Sequence, residues 1–275
     1  MEADPIPMFQ MQLAFAISIL GVYFGWRGVI AKMTGFYDLS GAVRYLLYGI
    51  VAGVFLALAV DQLILSVILE ESTTSQISIP LLAIFSFSLL IGAGESSFVL
   101  FLVGRPGVAS IRASPPFGWA LGLGLGSMQS AYLIVRLFDS NPNGLAALSS
   151  VAGFNTSSIV LASLISILSS LGHALPATWQ GNQLIGGSRV VPLIISTFVR
   201  ASISICLVLS IIKPIFSILI LPFVILYWFR AQEIWLPSGL TPAARQAFRR
   251  TIRQSELHRK RADDRIRGES LESEE

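Results

Sequence analysis

Five polar side chains able to pair, bind or move a proton lie within otherwise apolar stretches of the chain: Asp61, Glu95, Gln129, His173 and Arg200. A carboxylate and an imidazole are the usual pair for proton transfer to or from water. Glu95 could take the proton of an attacking water, or help hold a metal, while His173 orients or donates. The same residues admit a purely structural reading. Glu95 and Arg200 could form an ion pair locking two helices together, His173 could cap a helix end, and Gln129 could bridge helices. Asp61 and Arg200 read as supports rather than as reacting groups. In either case an ionisable side chain surrounded by lipid costs several kcal/mol, so each is expected to face the protein interior beside a partner.

Lipid is the expected solvent because of the surrounding composition. The 275 residues are 53% apolar and only 13% charged, and their mean hydropathy is +0.71. That is too apolar for a water-soluble chain of this length. A helix needs roughly 20 apolar residues to cross the hydrocarbon core. Seven such runs can be marked: Met8 to Ala31, Arg44 to Leu69, Ile77 to Val103, Phe117 to Phe138, Thr156 to Thr178, Val190 to Ile212, and Pro214 to Phe229. The expected fold is therefore all-α, a polytopic transmembrane bundle of about seven helices. The last two runs are separated only by Lys213 and Pro214, so they form either a tight hairpin or one long segment broken at the proline; the hairpin is favoured, since one helix of that length would be roughly 60 Å long.

Charges in the loops orient the bundle. Lys32 with Arg44, Arg105 with Arg112, Arg189 and the arginine-rich C-terminus fall in alternate loops, which the positive-inside rule places in the cytoplasm. The intervening segments, Glu70 to Gln76 and Asp139 to Gly144, are acidic or uncharged, as is the N-terminus with Glu2 and Asp4. The N-terminus is thus expected outside and the C-terminus inside. No basic residue precedes the first run, so it reads as a retained helix rather than a secretory signal. Arg136, near the outer end of the fourth run, departs from the pattern; its long side chain can snorkel to the interface.

Residues 1–232 read as a transmembrane helical domain and 233–275 as a cytoplasmic charged tail with one short helix. Pro237 and Gly239 mark a break, and Thr241 with Pro242 has the form of a helix start. Beyond it, Arg245, Arg249, Arg250 and Arg253 surround a thin apolar stripe of Ala244, Phe248 and Ile252. That pattern suits either anionic headgroups or water. From Ser255 the composition turns to mixed charge and ends in acidic Glu269 to Glu275, which predicts disorder. The net charge of +3 and pI near 9.2 come mainly from arginines next to the last run, so membrane topology explains them and nucleic acid is not an expected partner. The single cysteine, Cys206, allows neither an intrachain disulfide nor a cysteine-based metal site.

Counting ~1.5 Å per residue from the cytoplasmic end of each run puts Glu95 roughly 13 Å deep, Arg200 roughly 15 Å, Gln129 roughly 18 Å and His173 roughly 8 Å. Glu95, Arg200 and Gln129 could meet at one level, with Asp61 in the outer half. In the fourth run Gly122, Gly124 and Gly126, followed by Ser127, Ser130 and Ala131, make a face of small residues that another helix can approach closely. No Walker loop, HExxH or GxSxG is present, which argues against nucleotide-driven and zincin-type chemistry.

Three segments resemble the PrsW family of glutamic-type intramembrane proteases. Ile91-Gly92-Ala93-Gly94-Glu95-Ser96-Ser97 stands where that family carries a paired-glutamate motif, EExxK. Leu125-Gly126-Ser127-Met128-Gln129-Ser130-Ala131-Tyr132 stands where it carries a phenylalanine-to-glutamate motif, and Ser170-Leu171-Gly172-His173-Ala174-Leu175 with Gly181 where it carries a histidine. The resemblance covers residues 91–181 and agrees in order and spacing. It departs in chemistry: Gly94 replaces the first glutamate, Phe98 the lysine and Gln129 the later glutamate. It implies a multi-pass peptidase of the cell membrane acting on membrane proteins, with Glu95 and His173 as surviving catalytic residues and Gln129, Arg200 and Asp61 in support. The lost carboxylates equally imply a pseudoenzyme that binds a partner helix without cutting it. Neither a cofactor nor a metal is identified. Two other classes fit the same residues: a transporter or channel using buried Asp61, Glu95 and Arg200, and a non-catalytic subunit whose fourth run contacts a partner.

Overall fold

The computed structural model describes residues 6–73, 81–141 and 148–266. Seven of its helices are long and apolar enough to cross a membrane: α1 (Met8–Met33), α2 (Leu39–Leu69), α3 (Leu81–Val103), α4 (Ser114–Phe138), α5 (Thr156–Ile185), α6 (Val190–Ile212) and α7 (Ile215–Gly239). An eighth helix, α8 (Pro242–Ile266), follows. Among the described residues there is no β-strand. Hydrocarbon offers the backbone no hydrogen-bond partner, and a helix satisfies its own, so uninterrupted apolar sequence of this length becomes helix. The chain is an all-α, multi-pass membrane protein.

Local signals set the helix ends. Asp38 caps α2 by accepting from the Ser40 amide at 2.9 Å and from the Ser40 hydroxyl at 2.8 Å, and these bonds hold its carboxyl below the ordinary value. Asn155 and Ser158 form a reciprocal capping box at the start of α5. Between α6 and α7, Lys213 adopts an extended conformation before Pro214, the conformation that a following proline favours. Residues 190–229 therefore form two helices in a hairpin, the arrangement the sequence favours. α5 runs on to Ile185 with Pro176 inside it, seven residues past the expected end at Thr178.

Alternation of the spans brings the loops with Lys32, Arg105 with Arg112, and Arg189 to one end of the bundle, which we term the basic end. The acidic N-terminal residues Glu2 and Asp4, the loop residues 74–76 and 142–144, and the acidic tail Glu269 to Glu275 lie outside the described residues.

Two helices form the centre. In their most apolar stretches α4 is 78% buried and α5 72%, against 22% for α7. The small residues of α4 make this possible. A Cβ on Gly122 would fall on the backbone of Ala174 and His173, one on Gly126 on Ser169, and one on Gly124 on the carbonyl of Leu46 in α2. Absent side chains let α4 touch α5 on one side and α2 on the other at backbone distance, where dispersion is strongest. The small-residue face is thus used within the bundle, and the expectation that it forms an intermolecular contact is corrected. α1 packs on α4 and α5. α3 packs chiefly on α6 rather than on its chain neighbours, with Gly92 against Thr197 and Ala201.

α8 begins where the sequence indicates: the Ala244 amide donates to the Thr241 hydroxyl at 3.3 Å. Its apolar stripe meets neither headgroups nor water at Phe248, which is buried and packs edge-on against Phe36 with centroids 5.3 Å apart. Arg245 donates to the carbonyls of Pro237 and Ser238. The Tyr37 hydroxyl donates to Leu236 at 2.9 Å, and burial keeps its phenol well above the ordinary value, so it remains a donor. The helix continues to Ile266, against the disorder expected from Ser255. Opposite charges spaced four apart, Glu256 with Lys260 and Arg259 with Asp263, support a helix that buries little.

Candidate functional site

Three helices converge on one carboxylate. α3 carries Glu95, α5 carries His173 and α6 carries Arg200; they are 6%, 0% and 0% exposed. His173 Nδ1 lies 2.7 Å from Glu95 Oε1, and the Arg200 guanidinium pairs with the same oxygen. The close approach of α3 to α6 at Gly92 and of α5 to α4 at Gly122 places these side chains, because neither helix could reach its position with a Cβ at the contact.

Glu95 is thus ion-paired to Arg200, as the structural reading expects, and bonded directly to His173 at once. His173 does not cap a helix end. Because α5 passes through Pro176, the ring sits twelve residues from Ile185, roughly 18 Å along the helix, and reaches the level of Glu95 rather than the shallow position counted from Thr178.

With Glu95 ionised by its pairing with Arg200, the arrangement selects a tautomer. An ionised carboxylate only accepts hydrogen bonds, so the Nδ1 proton points at Glu95 and the lone pair lies on Nε2. A carboxylate holding an imidazole in this way orients it as a base. Arg200 and Glu95 cancel in charge, which lets both be buried with neutral His173. His173 Nε2, Glu95 Oε2 and Arg200 Nε have no protein hydrogen-bond partner, nor do the buried hydroxyls of Ser96 and Ser196. Buried polar atoms are rarely left unpaired in a core that serves packing alone, and His173 Nε2 and Glu95 Oε2 are free to take a further hydrogen-bond partner. Among the described residues no third His, Cys, Asp or Glu joins the pair in a group able to hold a metal, and a guanidinium already neutralises the carboxylate. The donor set suits proton transfer better than metal binding.

A lateral groove reaches Glu95, with His173 and Arg200 buried behind it. A cavity of about 350 Å³ between α2 and α3 is bordered by Phe55, Leu56 and Ala59 on one side and by Gly94, Glu95 and Phe98 on the other. It exists because α3 is drawn to α6 and leaves α2 behind. Phe55 is 69% exposed and a Cβ on Gly94 would meet nothing within 4 Å, so the groove opens toward lipid. Comparison with protein-family models, curated proteins and solved structures finds no match.

The remaining sequence candidates fall elsewhere. Gln129 donates to the Ser204 hydroxyl at 3.4 Å, one turn of α6 away from Arg200, and so braces α4 against α6 beside the cluster. Asp61 is part of a separate pair. Arg136 Nε and Nη2 donate to its two carboxylate oxygens at 3.1 and 3.0 Å, Gln62 adds a bond at 3.0 Å, and the guanidinium lies 5.4 Å from the Tyr132 ring centre. Arg136 is therefore held by Asp61 rather than simply snorkelling, and the pair ties α2 to α4 at the end opposite the basic loops. Asp61 stands at the start of a π-helical turn, Asp61–Leu65. The Arg136 side chain is 34% exposed, so it can turn to water if released. Asp61→Asn should accordingly cost about 1.5–3 kcal/mol, the range for a hydrogen bond to a charged group, less than any change to the fully buried pair; denaturant titration of the purified protein measures it.

Sequence reasoning missed Gln180. Fully buried on α5, it accepts from Arg200 Nη2 at 3.3 Å and donates to the carbonyls of Ser96 and Pro192 at 3.2 and 3.5 Å. It thus fixes the guanidinium and joins three helices. The signal available was spacing: Gln180 follows His173 by seven residues, two helical turns on the same face.

Proposed function

We propose that this membrane protein is a PrsW-like intramembrane peptidase, in which His173 is the general base, Glu95 orients it, and a membrane-embedded segment of another protein enters between α2 and α3. The observation that carries the reading is the 2.7 Å contact of Glu95 Oε1 with His173 Nδ1, which leaves Nε2 as the basic atom. In support, the positions of the EExxK-like segment, Gly94, Glu95 and Phe98, all border the lateral groove, as expected if a substrate approaches along it. Nε2 takes a proton from water as the oxygen adds to the peptide carbonyl. The imidazolium then returns that proton to the departing nitrogen, giving a carboxylic acid and an amine. The Nε–H of Arg200, which has no protein partner, is the cationic donor offered to the carbonyl oxygen as it gains charge.

One observation favours a second reading, a protein that holds a membrane helix without cutting it. Arg200 shares the oxygen that orients His173 and so weakens the carboxylate's pull on the imidazole, while Gln129, in place of a glutamate, can only brace. Co-expression with a panel of single-span reporter proteins separates the two. The peptidase reading expects a cleavage product lost in both Glu95→Gln and His173→Gln, with each variant still extracted as a folded protein. Capture of uncut reporter by a photo-crosslinker at Gly94 would favour the holding role, and cleavage unchanged by Glu95→Gln would reject the peptidase.

A further inference from the structure

A second and larger groove lies on another side of the bundle, between α1, α5 and α7, with a volume of about 600 Å³. This is the scale of small-molecule sites, roughly 300–1,000 Å³. α1 and α7 both pack on α5, and the space between them is floored by Leu168 and bordered by Phe24 and Ile225. Toward the basic end, Trp228 of α7 reaches across to Gly28, where a Cβ would stand 2.8 Å from the indole. The lining is apolar except at this end, where it holds Arg27 and Tyr23. Arg27 is exposed and lies 6.0 Å from the Tyr23 ring centre. It has no carboxylate partner among the described residues, whose ion pairs join Asp61 to Arg136 and Glu95 to His173 and Arg200. Arg230, two residues beyond Trp228, adds a second exposed cation near the same level.

We propose that this groove binds an anionic phospholipid, with an acyl chain along α5 and the phosphate at Arg27. The form of the site matches an amphiphile with one charged end: a long apolar trough closed by a cation with no internal counter-ion, flanked by Tyr23 and Trp228, the residue types that settle at headgroup level. A zwitterionic lipid brings its phosphate with an ammonium that already offsets it, whereas an anionic headgroup brings a net negative charge for Arg27 to neutralise. The site is independent of the peptidase reading, being on α1 and α7 rather than α2 and α3.

The test is lipid retention by the full-length protein, purified from nanodiscs of equal parts phosphatidylglycerol and phosphatidylcholine and examined by native mass spectrometry. The wild type should keep phosphatidylglycerol in preference. Arg27→Gln should lower that preference about fivefold, the factor equivalent to the roughly 1 kcal/mol of one basic residue at an anionic surface. Ile225→Trp, which fills the trough from its lipid-exposed side, should reduce retention of both lipids. Thermal melting of both variants controls for folding. Equal retention of the two lipids by the wild type, a preference unaffected by Arg27→Gln, or a wild-type protein that carries no lipid because a second copy covers α1 and α7 would each overturn the proposal.

Discussion

Arg200→Met should destabilise the protein by about 3–5 kcal/mol, the usual cost of removing one member of a buried ion pair. The size follows from what remains. Glu95 would stay buried with a carboxylate facing apolar neighbours and only the His173 proton to solvate it. Gln180 would also lose the donor that its side-chain oxygen accepts from. Adding Glu95→Gln removes the stranded charge, so the double variant should recover part of the loss. Unfolding titrations of the four proteins form a complete cycle. Strictly additive losses would show that Glu95 and Arg200 do not stabilise each other, whatever their distance. The same cycle bears on function, because a pair held chiefly by mutual attraction also fixes the carboxylate that orients His173.

Gly122→Leu should be damaging on a similar scale, and for a different reason. The added side chain has no empty space to enter: its first atom already falls on the backbone of Ala174 and His173, and backbone cannot rotate aside as a side chain can. α4 and α5 must separate, costing about 3 kcal/mol or more, at the upper end of what overpacking a core produces. The movement carries His173 away from Glu95. The same substitution at Gly94, where a Cβ meets nothing within 4 Å, should change stability by less than about 1 kcal/mol, since surface changes away from special features usually stay within that bound. Melting temperatures of the two variants decide the matter. Equal effects would mean that the α4 to α5 contact is not the close one described here.

The PrsW resemblance and the geometry bear on one another through particular residues. Gly94 and Phe98, where the family pattern has glutamate and lysine, are the residues that leave the α2–α3 groove apolar. What remains polar is the cluster behind it, held together by Arg200 and Gln180, neither of which belongs to the motif. On the proposed peptidase reading, the buried trio of Glu95, His173 and Arg200 fixes the histidine, and His173 rather than Glu95 takes the role of base.

The sequence alone determined the number of spans and the gathering of basic loops at one end, and it favoured the hairpin at Lys213 and Pro214 and put Glu95 and Arg200 at matching depth. Each of these depends on local composition or on distance along a helix, and both are readable from one segment at a time. Only the tertiary structure decided which helix stands beside which. Lipid is as apolar as leucine, so the outward faces of α1 and α3 carry the same residue types as their inward faces, and periodicity does not reveal the neighbour. Those neighbours were set by backbone contacts at Gly92, Gly122 and Gly124 between segments far apart in the chain. From them follow the pairing of Asp61 with Arg136, the place of Gln180, the descent of His173 to the level of Glu95, and the groove that opens where α3 leaves α2 for α6.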